Sequence, residues 1–85
     1  MDTLAEPTGA VLDLTLLRTF LEVVDNGGFA LAADALALTP SAVSGHIKRL
    51  EMVAGSVLLE RTTRSFELTA AGETLYAYAR NIVDL

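Results

Sequence analysis

The chain is 85 residues long, 52% hydrophobic and free of cysteine, with a formal charge of −5 from eleven Asp or Glu against six Lys or Arg. That length allows one small domain, and a chain this short buries only about 60% of its unfolded surface. The lack of cysteine excludes a disulfide scaffold and a thiolate metal site. The acidic total, taken whole, opposes nucleic-acid binding, which usually goes with a basic excess.

A membrane span needs roughly 20 consecutive apolar residues, and the longest candidate, Phe29 to Leu38, is interrupted by Asp34. The N-terminus carries Asp2 and Glu6 but no Lys or Arg before its first apolar run, so it lacks the positive start of a secretory signal. A soluble, cytoplasmic protein without membrane contact is the expectation. Residues 1–12 read as a flexible extension, punctuated by Pro7 and Gly9.

The first periodic segment opens at Asp13, a good N-cap, and places Leu16, Leu17, Phe20, Leu21 and Val24 on one helical stripe. Asp25-Asn26-Gly27-Gly28 ends it, with Gly27 suited to the left-handed position after a helix. A short second helix, Phe29 to Leu36, carries Ala32 and Ala33, small enough to let another helix approach. Thr39 and Pro40 then supply a cap and a first helical residue for a third helix from Pro40 to about Met52. At 100° per residue, Val43, Ile47, Leu50 and Ala54 share one face of it. Ser41, Gly45 and Lys48 lie on the opposite face, with Ser44 and Arg49 on its flanks.

After Gly55 the period changes. Val57 to Arg61 and Ser65 to Leu68 read as two strands around a tight connection, with Phe66 and Leu68 facing in and Glu67 out. Thr69 caps a last helix whose apolar seam is Leu75, Ala79, Ile82 and Val83. The fold class is therefore mainly α. It is a winged helix-turn-helix with a three-helix core and a two-stranded wing over residues 13–68, followed by a long helix over residues 69–85.

Several short pieces, each weak alone, are specific as an ordered set. Leu14 to Phe20, the Gly28-Phe29 start, Ala32-Ala33, Ser41-Ala42-Val43-Ser44 and Ile47-Lys48-Arg49-Leu50-Glu51 come first. Leu58-Leu59-Glu60-Arg61-Thr62 and Leu68-Thr69-Ala70-Ala71-Gly72 follow in order. Together they resemble the N-terminal domain of LysR-type transcriptional regulators over residues 13–85. The resemblance implies a cytoplasmic bacterial regulator that binds double-stranded promoter DNA as a homodimer, pairing through the long last helix, with tetramers possible in the full-length parent. It also implies a larger effector-binding domain that senses a small-molecule co-inducer. That domain is missing from this chain, which reads as the isolated DNA-binding portion. Departures from the family pattern are Gly45 where a long polar residue is frequent, Pro40 for Gln, Gly28 for Ser and Thr63 for the wing Gly.

The expected DNA-binding residues are Thr39, Pro40, Ser41, Ser44, Gly45, Lys48 and Arg49 on the recognition helix 40–52, with Arg61 and Arg64 on the wing 61–65. A major groove about 12 Å wide admits one helix, so its outward residues must be small or polar. Arg61 has two readings: a DNA contact, or a pair with Glu60 or Glu51. Gly45 either lets the helix sit closer to the groove or is a plain loss of side chain. Leu75, Ala79 and Ile82 are the expected dimerisation seam. His46, the single histidine, either packs with a satisfied ring nitrogen or reaches a phosphate; a metal or catalytic role finds no partner residues. No cofactor motif or nucleophile set appears, so the chain is not read as an enzyme. The rival reading is a winged-helix protein–protein interaction module without DNA binding.

The charge divides unevenly. Residues 1–39 hold six acids against one base, giving −5; residues 65–85 hold three against one, giving −2. Residues 40–64 hold Lys48, Arg49, Arg61 and Arg64 against Glu51 and Glu60, giving +2. The one net-positive stretch is the recognition helix and wing.

Overall fold

Asp13 opens α1 (Leu14–Asn26), its carboxylate accepting the Thr15 N–H at 2.8 Å and so satisfying one of the first-turn donors that a helix leaves unpaired. The computed structural model describes residues 13–62 and 65–84. The extension expected over 1–12 and the wing residue Arg64 lie outside the described residues. Gly27, at φ 79°, closes α1, where its N–H and that of Gly28 both reach the Val23 carbonyl. The turn leads directly into α2 (Phe29–Leu36). Ala37 ends α2 at φ 58°, an uncommon conformation for a residue with a side chain, and the Leu38 N–H returns to the Ala33 carbonyl at 2.9 Å.

Thr39 caps α3 (Pro40–Ala54), its hydroxyl accepting the Ala42 N–H at 3.1 Å, with Pro40 in the first turn as expected. The helix runs two residues beyond the expected end at about Met52, to Ala54, and Gly55 follows in the left-handed region. Ala54 does not join the core face. Burial on α3 ends at Leu50 and the half-buried Val53, so the last residues of the helix are exposed.

The wing is a two-stranded antiparallel sheet of β1 (Leu59–Arg61) and β2 (Phe66–Leu68), registered Leu59 to Leu68, Glu60 to Glu67 and Arg61 to Phe66. Its first strand is shorter than the sequence suggests. Glu51 at the end of α3 takes the Leu58 N–H at 2.8 Å and the Leu59 N–H at 3.3 Å, and the Leu58 carbonyl accepts from the Thr69 N–H. Val57 and Leu58 are therefore held by side-chain and turn contacts rather than by strand pairing.

Thr69 caps α4 (Ala70–Val83) by accepting the Gly72 N–H at 3.0 Å, while its own O–H donates to the Val57 carbonyl at 2.6 Å. One hydroxyl thus starts the last helix and fastens it to the lead-in of the wing.

α1 is the centre of the molecule, in contact with α2, α3 and α4. Its Leu16, Leu17, Phe20, Leu21 and Val23 are buried, joined by Ala32 and Ala33 of α2, by Val43, Ile47 and Leu50 of α3, and by Leu58 and Leu59. Each such larger side chain contributes about 1.5–3 kcal/mol by burial. The expected stripe of α1 is widened: Val23 and Thr19 are buried as well, and Val24 is only half-buried, because three helices rather than one cover it.

The expected seam on α4 requires correction. Ala79 is fully buried within the chain and Leu75 packs half-buried on the same core, so neither forms an exposed surface. The buried face of α4 is rotated toward Tyr76 and Val83, which also pack on the core, because α1 provides the surface that the seam was expected to lack. Of the three residues only Ile82 is exposed, together with Tyr78.

Candidate nucleic-acid interface

The cap at Thr39 and the proline at Pro40 fix where α3 begins, and the apolar spacing of Val43, Ile47 and Leu50 fixes which side it buries. The opposite side is thereby turned out. Thr39, Pro40, Ser41, Gly45, Lys48 and Arg49 are all exposed and Ser44 is half-buried. A Cβ added at Gly45 would meet nothing within 4 Å, so its lack of a side chain serves no packing need inside the protein.

Among the described residues, neither Lys48 nor Arg49 has an ion-pair partner. Their charges are free for an external anion. Glu51, four residues before Gly55, faces backbone donors of the wing lead-in instead of these cations.

Arg61 forms an ion pair with neither Glu51 nor Glu60. Its guanidinium carbon lies 4.2 Å from the centroid of the Phe29 ring, and that ring meets Phe66 edge-on, with centroids 6.3 Å apart at 90°. An open cleft of about 320 Å³ brings Ser44 and Lys48 of α3 together with Arg61 of β1, over Phe29, Ile47, Glu51 and Leu59. The recognition helix and the wing thus share one surface. No spacing rule in the sequence links Phe29, the first residue of α2, to Arg61.

His46 is settled as a structural residue on one of its nitrogens. The Thr19 hydroxyl lies 2.9 Å from Nδ1 and also 2.8 Å from the Thr15 carbonyl, to which it gives its single proton. The hydroxyl must therefore accept from His46, which places a proton on Nδ1. This contact ties α3 to α1 and was half legible, as a satisfied ring nitrogen.

Away from this surface, α4 is fastened to the end of α1 by Asp25, whose two oxygens accept from the Tyr76 hydroxyl at 2.7 Å and Arg80 Nη1 at 2.6 Å. Arg80 Nε also reaches Asp84 at 3.0 Å. Donation to the Asp25 carboxylate holds the Tyr76 hydroxyl above its ordinary pKa, and the same carboxylate raises that of Arg80.

The sequence pattern of the "bacterial regulatory helix-turn-helix protein, lysR family" matches residues 14–73, from the first residue of α1 into α4. The chain belongs to the LysR family. Among its relatives are the probable HTH-type transcriptional regulator LtrA of Klebsiella pneumoniae, 44% identical over 68 residues, which are 80% of this chain and 22% of LtrA. The HTH-type transcriptional activator AllS of Klebsiella pneumoniae is 48% identical over 71 residues, 84% of this chain and 26% of AllS. This LysR-family chain thus spans about a quarter of the length of such relatives.

Similar solved structures include a complex of the CbnR DNA-binding domain with DNA, at 36% identity and a TM-score of 0.81, covering 86% of this chain and 84% of that one. The BenM DNA-binding domain on its benA site 1 DNA gives the same identity and TM-score, covering 86% and 82%. The winged helix-turn-helix architecture is that of these LysR-family domains. Among the described residues no helix is long and apolar enough to cross a membrane.

Proposed function

We propose that the chain binds double-stranded DNA sequence-specifically, as the DNA-binding part of a LysR-type transcriptional regulator. The observation that carries this reading is the outward face of α3, where Ser41, Gly45, Lys48 and Arg49 are exposed, small or cationic, and the cations have no ion-pair partner among the described residues. The CbnR and BenM domains, similar in fold and over a third identical, have been solved on DNA.

In this reading the first turns of α3 enter the major groove. Ser41 and Ser44 offer hydroxyls to base edges or phosphates, and Pro40 offers an apolar surface to a thymine methyl. Gly45 removes bulk at the middle of the inserted face. Lys48 and Arg49 meet the phosphates along the groove, Arg61 follows the backbone from the wing, and Arg64, outside the described residues, is assigned a further DNA contact. Two copies paired through the exposed side of α4 read two half-sites. The acidic remainder of the chain keeps non-specific affinity low, because a sequence-independent attraction depends on net positive charge at the surface.

Selection of bound sequences from a random duplex pool, followed by fluorescence anisotropy against the selected duplex and a scrambled one, tests the proposal. The expected result is a clear preference for the selected duplex. Its logarithmic affinity should also fall with logarithmic salt by about 0.9 for each neutralised phosphate. Equal affinity for both duplexes at low salt overturns sequence-specific binding. A salt slope left unchanged by Lys48→Ala combined with Arg49→Ala overturns their assignment to phosphates.

A further inference from the structure

The wing arginine is held by an aromatic ring rather than by an acid. The Arg61 guanidinium carbon lies over the Phe29 ring, 4.2 Å from its centroid, and among the described residues no carboxylate stands within salt-bridge range of it. Phe29 belongs to α2, so the contact crosses from the helical core to the sheet. The ring is in turn braced edge-on by Phe66, and Phe66 is the residue directly opposite Arg61 in the strand register. Three side chains thus form one closed set: the cation, the ring under it, and the ring that fixes the angle of the first.

A guanidinium held over a ring face is held without spending its N–H donors on an acid, so those donors stay available to another acceptor. A carboxylate partner would do the opposite, neutralising the charge and occupying those donors. Arg61 is therefore held in place by the ring, and no carboxylate among the described residues takes up its donors. The pair also occupies a junction: Phe29 and Arg61 line the cleft that contains Ser44 and Lys48 of α3, and equally the cleft that contains Thr62 and Ser65 of the wing. In the DNA-binding reading, a strand running from the groove beside α3 toward the wing would cross this point.

We infer that Phe29 is a positioning residue for DNA binding: its ring pre-sets Arg61 so that the guanidinium edge meets a backbone phosphate between the recognition helix and the wing. The inference rests on the DNA-binding reading above. An ordered side chain loses less freedom on binding than one sweeping through solvent, so the gain appears in affinity without Phe29 touching DNA.

A double-mutant cycle on the selected duplex tests it, with affinities of the wild type, Phe29→Leu, Arg61→Gln and the double variant measured by anisotropy at a temperature where circular dichroism shows each folded. Loss of a partly exposed cation–ring contact should weaken binding roughly two- to five-fold in the Arg61 background. In the Arg61→Gln background the same Phe29→Leu change should leave affinity unaltered, and Phe29→Tyr, which keeps the ring face, should restore wild-type binding. An equal loss in both backgrounds makes Phe29 a packing residue only and overturns the inference. So does a Phe29→Leu variant that binds as the wild type does, or an Arg61→Gln variant without effect. A wild-type chain that binds no duplex overturns the DNA-binding reading itself, an outcome distinct from these.

Discussion

Among the described glycines, Gly72 is the one where an added Cβ would meet neighbouring atoms. A Cβ there would overlap the Leu58 carbonyl oxygen and stand 3.0 Å from Leu68 Cδ2. That carbonyl cannot retreat, since it accepts the Thr69 N–H at 3.0 Å and lies 3.3 Å from the Thr69 hydroxyl. Gly72→Ala is therefore expected to cost about 1–3 kcal/mol, as overpacking does. Gly45→Ala, at a site with nothing within 4 Å, should instead raise stability by up to about 1 kcal/mol through helix propensity. Urea denaturation of the two variants checks both signs, with shifted midpoints at an unchanged slope. A second expectation concerns Tyr76, whose pKa is raised by donation to Asp25. Raising the folded-state pKa of an acid favours the protonated form, so this stabilisation is complete below the unfolded value of about 10 and is lost as pH rises through the folded value. Above about pH 10 the wild type should lose melting temperature more steeply than Tyr76→Phe; parallel pH profiles of the two would count against the bond. Asp25, Tyr76 and Arg80 were invisible in the sequence for a plain reason. Their pairing spans 51 and 55 residues and depends on how two helices cross, which no local pattern encodes.

Helix starts and stops were the most legible elements, because caps are local chemistry: Asp13, Thr39 and Thr69 each accept a first-turn N–H from two or three residues ahead. Strand ends were less legible, because Glu51 reaches seven residues along the chain to hold Leu58 and keep it out of the ladder. The outward face of α3 followed directly from the apolar spacing of Val43, Ile47 and Leu50, whereas the support of Arg61 by Phe29 depends on the packing of α2 against the wing. The wing also carries an unfavourable choice on its exposed side, where Glu60 and Glu67 stand directly opposite each other. Like charges in that relation destabilise a strand pair, while opposite charges contribute roughly 0.2–1 kcal/mol. Glu67→Lys should therefore stabilise the wing by a few tenths of a kcal/mol or more, read as slower amide exchange in β1 and β2. Exchange that is unchanged or faster would show that the two carboxylates point away from each other. The same substitution makes the wing less acidic, so any gain in DNA affinity has to be separated from the gain in stability by comparing salt slopes.

For the whole molecule, the −5 total is less informative than its distribution. The internal duty of Glu51 leaves Lys48, Arg49 and Arg61 facing outward with little acidic competition from their own segment. Association of two copies is the remaining global question. The last helix spends Gly72, Leu75, Tyr76, Ala79 and Val83 on its own domain, and what it leaves outward is Tyr78, 64% exposed, and Ile82, 42% exposed. These two lie four residues apart on one side of α4 and so form adjacent apolar surface. A monomer gains nothing from them, and a second copy related by a two-fold axis would bury them against their own equivalents. Two substitutions on the same helix separate the two duties. Ala79→Asp places a carboxylate in the core, with no partner there, and is expected to unfold the monomer, because burying an unpaired charge exceeds the few kcal/mol of stability such a domain has. Ile82→Asp should leave the melting temperature of the dilute monomer within about 2–4 °C, since surface changes stay near 0.5 kcal/mol. It should nevertheless shift sedimentation at high concentration from dimer to monomer and weaken binding to a two-half-site duplex more than to a single half-site. A dimer that survives Ile82→Asp combined with Tyr78→Asp would place the contact elsewhere on the molecule, and the exposed side of α4 would then have no part in pairing.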